Sequence, residues 1–110
     1  IAIRKNGEAC IYDWELATLN YPHRDIIELL CFVLPQDVSK EKLYSYLEFH
    51  FELRADKNVI WEDWKKGYLY SLKEFMVTRI SFYSVGSILL KYGFVQRVLA
   101  TSLRIVDLLK

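Results

Sequence analysis

The stretch CIYDWELATLNYPHRDIIELL, residues 10–30, decides how the chain is read. It begins as an apolar run ending on Asp13, passes through a polar connection, and from Asp25 becomes helical. Upstream, IAIR and ACIYD flank K-N-G-E, and Asn6-Gly7 is the strongest short hairpin signal a sequence offers, so residues 1–13 are predicted to form a β-hairpin. Little else in the chain has strand character. An isolated hairpin is marginal in water and has to lean on something.

Downstream the periodicity is that of helices. Asp25 is placed to cap a helix that starts I-I-E-L-L-C-F-V and stops before Pro35. This segment is apolar almost all round, which predicts a central, buried helix. Ser39 is placed to cap a second helix to about Ala55, with Leu43, Leu47 and Phe51 as its stripe. A third pattern starts near Asn58 and runs from Ile60 to about Tyr92, with a break expected between Thr78 and Gly86. Gly93 is the predicted terminator. A last helix covers Val95 to Leu109, with Val95, Leu99, Leu103 and Val106 expected inward. The fold class is therefore mainly α: a short N-terminal hairpin followed by four to five helices.

Composition excludes several classes. With 53% apolar residues, 110 residues form one domain or part of one, and disorder is ruled out. A net charge of +1 gives no footprint for nucleic acid. Cys10 and Cys31 are too few for a disulfide scaffold, which favours a reducing, cytoplasmic setting. The longest apolar run, residues 81–90, is about half a bilayer span, so no membrane partner is expected. The chain opens on Ile1 and its one methionine is Met76, as expected of a fragment.

Two aspartates compete for a chemical role. His23-Arg24-Asp25 matches the three letters that open the protein-kinase catalytic loop, but that loop places a metal-binding asparagine five residues after the aspartate. Here that position is Leu30, and Ile26 to Leu29 are a helix start rather than a polar loop. Asp13 ends a strand, where it reads either as a cap of the following turn, the commoner case, or as a metal ligand. A carboxylate at a strand end is held on stiff backbone, and Mg²⁺ favours one or two such groups together with phosphate oxygens and water.

The pattern I-Y-D-W-E-L-A, then Pro22, then D-I-I-E-L-L from Asp25, resembles the aminoglycoside phosphotransferase and choline kinase-like family. In that family an aspartate follows a strand, an aromatic residue and often a glutamate come next, and a second aspartate opens a buried helix twelve residues later. The resemblance implies the C-lobe of a protein kinase-like fold, with 1–13 as hairpin, 14–24 as metal-binding loop and 25–110 as helical subdomain. It implies that Asp13 binds Mg²⁺ between ATP phosphates, that Glu15 supports the metal, that Tyr12 lies near the nucleotide, and that Asp25 is a structural brace. It implies a small molecule with a hydroxyl as substrate. The family's H-x-D-x-x-x-x-N loop, its Gly-rich loop and its strand lysine are missing from this sequence. An upstream N-terminal lobe and catalytic loop are then required partners, and the chain alone is expected to be inactive.

Other candidates carry less. Trp61, Trp64 and Tyr68 share a helix face and could stack on a substrate, although such a stripe is usually core. Glu48, Glu52, Asp56, Glu62 and Asp63 read as a solvated acidic face, His50 as a partly buried structural histidine, and Arg97 and Arg104 as solvent-facing. A non-catalytic helical binding module, or a degenerate kinase-like domain, is the alternative class.

Overall fold

The structure is a computed structural model that describes residues 2–10 and 21–110. Strands β1 (Ala2–Ile3) and β2 (Ala9–Cys10) pair antiparallel, Ala2 opposite Cys10 and Ile3 opposite Ala9. The Gly7 amide donates to Arg4 O at 2.9 Å, and Gly7 lies at φ +86°, where only glycine is unstrained. Asn6 keeps a negative φ. Its side-chain oxygen accepts from the Glu8 amide at 3.2 Å, which closes the turn.

The described residues hold five α-helices: α1 (Pro22–Val33), α2 (Lys40–Glu52), α3 (Trp61–Phe75), α4 (Ser81–Leu90) and α5 (Val95–Leu109). Central to the packing is α3, which lies against α1 and α5, and α1 also packs on α5. Ile27, Leu30 and Cys31 of α1, Leu43 and Leu47 of α2, Tyr68, Leu72 and Phe75 of α3, and Val98 and Ile105 of α5 make one core. Among the described residues no helix is long and apolar enough to cross a membrane.

Local chemistry explains most helix ends. Ser39 caps α2 by accepting from the Lys42 amide at 3.2 Å. Leu34, next to Pro35, is extended and ends α1. The open carbonyls beyond α1 are met from α5. Arg97 Nη1 donates to Phe32 O at 2.8 Å, Thr101 Oγ1 to Leu34 O at 3.4 Å, and Arg104 Nε to Val38 O at 3.3 Å. The two arginines therefore tie α5 to the end of α1 rather than merely facing solvent.

Several expectations are corrected. Tyr21, not Asp25, is the N-cap of α1, and Pro22 occupies the first turn, where its missing N–H costs nothing. Asp25 is exposed. The α1 helix is one-sided rather than buried all round, since Val33 is 60% exposed. Ile60, not Asn58, caps α3, because the Asn58 amide is held by Asp56 Oδ1 at 2.9 Å in a preceding turn. Lys91 at φ +51° ends α4, so Gly93 is not the terminator.

The long pattern from Ile60 to Tyr92 does not break; it passes through a π-helical turn at Met76–Ile80. An α-helix would bring Arg79 inward four residues after Phe75. The wider turn brings Ile80 inward instead, and Ile80 is buried. On α5 the inward stripe is Val95, Val98, Thr101, Ser102, Ile105 and Leu109, while Leu103 is half-exposed. Ile105→Ala is expected to destabilise the chain by about 2–5 kcal/mol and Leu103→Ala by under about 0.5 kcal/mol, as read by chemical denaturation.

Candidate functional site

Tyr12, Asp13 and Glu15, the residues expected to hold nucleotide and metal, lie outside the described residues. Asp25 is in the first turn of α1, where its charge favours the helix's positive end. Its carboxylate makes no hydrogen bond or ion pair among the described residues. The described residues hold no group of three or more His, Cys, Asp and Glu side chains arranged to bind a metal.

The polar centre that the structure does assemble lies between α1, α2 and α3. Tyr68 is fully buried, so its hydroxyl must find partners inside the protein. It has three: Leu47 O at 3.0 Å, Trp64 Nε1 at 2.9 Å and His50 Nδ1 at 2.7 Å. A phenol has one proton and two lone pairs. Donating to Leu47 O and accepting from Trp64 Nε1–H leaves one lone pair, which fits a proton on His50 Nδ1. Burial pushes the Tyr68 phenol up to about 12, which keeps it neutral.

His23 packs onto this centre. Its ring centroid is 4.2 Å from that of Trp64, 4.8 Å from Tyr68 and 6.2 Å from His50. The ring is pressed against the backbone of Gly67, where a β-carbon would fall 2.6 Å from Nε2, so the close approach requires glycine. Both ring nitrogens are buried, and neither has a hydrogen-bond partner among the described residues. Burial holds the imidazole below its usual range, and repulsion from His50 adds to this. The Trp64 backbone pulls the other way without reaching hydrogen-bond geometry. Burial lowers His50 as well.

A cleft of about 640 Å³ borders this centre, lined by Tyr21, His23, Asp63, Lys66, Gly67, Tyr70, Ser71 and Glu74. Its rim carries the pairs Lys66–Asp63 at 2.6 Å and Arg24–Glu74 at 3.1 Å. The volume suits a small organic ligand. The chemistry suits binding more than bond-making: His23 is buried and His50 half-buried, burial lowers the pKa of both, and among the described residues no activated nucleophile lines the walls. Cys31 lies in the core, where burial drives its thiol up to about 11 and leaves it unreactive.

Of the three aromatics expected to share a face, Tyr68 is wholly interior. Trp61 and Trp64 are half-buried against the core, and Trp61 also stacks on Phe51 at 5.3 Å. Glu48, Glu52, Asp56, Glu62 and Asp63 are all exposed, the last two paired with Lys65 and Lys66. The sequence reading missed His23, treating it as part of a chance triplet. Gly67, set within W-E-D-W-K-K-G-Y, was the available signal, because a glycine inside an aromatic helix marks a close approach.

Tyr68→Phe strands Trp64 Nε1–H and His50 Nδ1 together, and is expected to cost about 1–3 kcal/mol in denaturant unfolding. The two histidines make stability depend on pH. Their folded pKa values lie below the unfolded value of 6.5, so the unfolded chain binds more protons as acid is added. The stabilisation is complete above about pH 6.5 and is lost as pH falls below it. Melting temperature should therefore drop from about pH 7 to about pH 5, with a shallower slope in His23→Leu. No protein-family model, curated protein or solved structure matches this chain, so its own residues carry the functional reading.

Proposed function

We propose that this chain is the C-terminal helical part of an ATP-dependent kinase that moves the γ-phosphate to the hydroxyl of a small molecule in the cytoplasm. The observation that carries the reading is the twelve-residue step from Asp13 to Asp25, with Trp14, Glu15, Ala17 and Pro22 between them. The described parts on either side are compatible with it. A hairpin turned by Asn6-Gly7 precedes the step, and a helix opened by Pro22 and packed on α3 and α5 follows it.

In this reading Asp13 holds Mg²⁺ against the ATP phosphates, Glu15 supports that site, and Tyr12 lies beside the nucleotide. Asp25 takes the brace role in a specific way. Its carboxylate is exposed on the first turn of a central helix, so it is free to accept from the backbone N–H groups of a loop laid across that turn. The loop would carry the catalytic base and belong to an upstream lobe of the same protein. Phosphoryl transfer relies on positioning and metal charge, so the helical part alone would not turn over.

The test is Mg²⁺-dependent ATP consumption by the parent protein, measured over a panel of hydroxyl-bearing small molecules. Asp13→Ala is expected to lower kcat by about 10²–10³-fold while the melting temperature stays the same. Undiminished turnover in the folded variant would overturn the metal role.

A further inference from the structure

Helix α4 is built inside out. Its large apolar side chains face solvent: Phe82, Val85 and Leu89 share one face, with Ile88 beside them, at 70, 68, 85 and 78% exposure. Its half-buried side carries Tyr83, Ser84, Gly86 and Ser87. The two serines bond back to their own helix, Ser84 Oγ to Ile80 O at 2.8 Å and Ser87 Oγ to Ser84 O at 2.9 Å. A helix meant for water would be turned the other way round.

Charge says what the face meets. From Phe75 to Val106 the sequence has no Asp or Glu, and it has four basic residues: Arg79, Lys91, Arg97 and Arg104. Arg79 lies in the turn before α4 and Lys91 directly after it, so a cation brackets the apolar face at each end. Neither forms a salt bridge among the described residues. Tyr83, in the first turn of α4, packs inward on Phe32 and Phe94, which leaves the apolar face on the opposite side of the helix uncovered among the described residues. An apolar face with a cation at each end, on a helix far too short to span, matches the interface of an anionic bilayer.

We propose that α4 docks in the plane of an anionic lipid surface, with Phe82, Val85, Ile88 and Leu89 among the acyl chains and Arg79 and Lys91 on headgroup phosphates. This surface role does not rest on the kinase reading, and it differs from membrane spanning. The test is flotation of the chain with vesicles of phosphatidylcholine alone or mixed with phosphatidylserine, with sedimentation velocity run in parallel. The chain should bind the mixed vesicles more tightly than the neutral ones, and added salt should weaken that binding. Ile88→Ser with Leu89→Ser should cut binding by at least about tenfold with helicity and melting temperature unchanged. Lys91→Glu should cut it by about fivefold. Equal binding to both vesicle types, or binding that survives the double substitution, would overturn the proposal. So would a dimer that the double substitution converts to monomer, because a second copy would then cover the face.

Discussion

A phenol buried as fully as that of Tyr68 must place its hydroxyl, and that requirement organises the N-terminal half of the helical core. The hydroxyl reaches Leu47 O on α2, Trp64 on its own helix and His50 on α2, so one oxygen fixes the register between α2 and α3. Apolar contacts alone would tolerate sliding, because Leu43 and Leu47 can meet a groove at several offsets. The two directed bonds that cross from α3 to α2 do not tolerate it. The same centre then fixes α1, since the His23 ring fits only over the bare backbone of Gly67 and between the rings of Trp64 and Tyr68.

At the other end of α1 the solution is different. Helix C-termini leave carbonyls open, and α1 ends inside the bundle rather than in water. Arg97, Thr101 and Arg104 lie on one side of α5 and meet the carbonyls of Phe32, Leu34 and Val38 in turn. This explains the buried Thr101 in an otherwise apolar stripe, and why α5 turns Ile105 rather than Leu103 to the core. The N-terminal end of α1 is thus held by ring contacts and the Arg24–Glu74 pair, and its C-terminal end by hydrogen bonds from α5, while Ile27, Leu30 and Cys31 between them supply apolar area.

The sequence made the elements legible where a local signal was complete in itself. Asn6-Gly7 marked the hairpin, Ser39 the start of α2, Pro35 the end of α1, and the run from Val95 to Leu109 the last helix. It failed where a distant partner decided. Asp25 has a good capping side chain, yet Pro22 starts the helix earlier, so Asp25 falls inside the first turn. Leu103 fits an inward period, but the need for Thr101 and Arg104 to reach the end of α1 rotates α5 away from it. His23 has no signature in its own neighbourhood: its burial depends on Gly67 and Trp64, more than forty residues away, and the glycine is the one signal of it. The expected nucleotide residue Tyr12 and the expected metal residues Asp13 and Glu15 fall outside the described residues, so for them the sequence pattern remains the whole argument.

The π turn joins the core to the outward face of α4. In one uninterrupted α-helix, the stripe Tyr68, Leu72 and Phe75 would continue through Arg79 to Phe82 and Leu89. Arg79 would then enter the core with no carboxylate to meet it, a far larger cost than one irregular turn. The five-residue step from Phe75 to Ile80 avoids that and buries an isoleucine instead. Hydroxyls settle on the carbonyls around it, Thr78 Oγ1 on Glu74 O at 2.8 Å and Ser81 Oγ on Met76 O at 3.2 Å. Once that step is taken, every later position is rotated by one residue, and Phe82, Val85 and Leu89 point outward while the serines turn in. The inverted helix is therefore not an independent oddity of composition. It follows from keeping a guanidinium out of the core, where Ile80 is buried in its place and Arg79 stays half-buried.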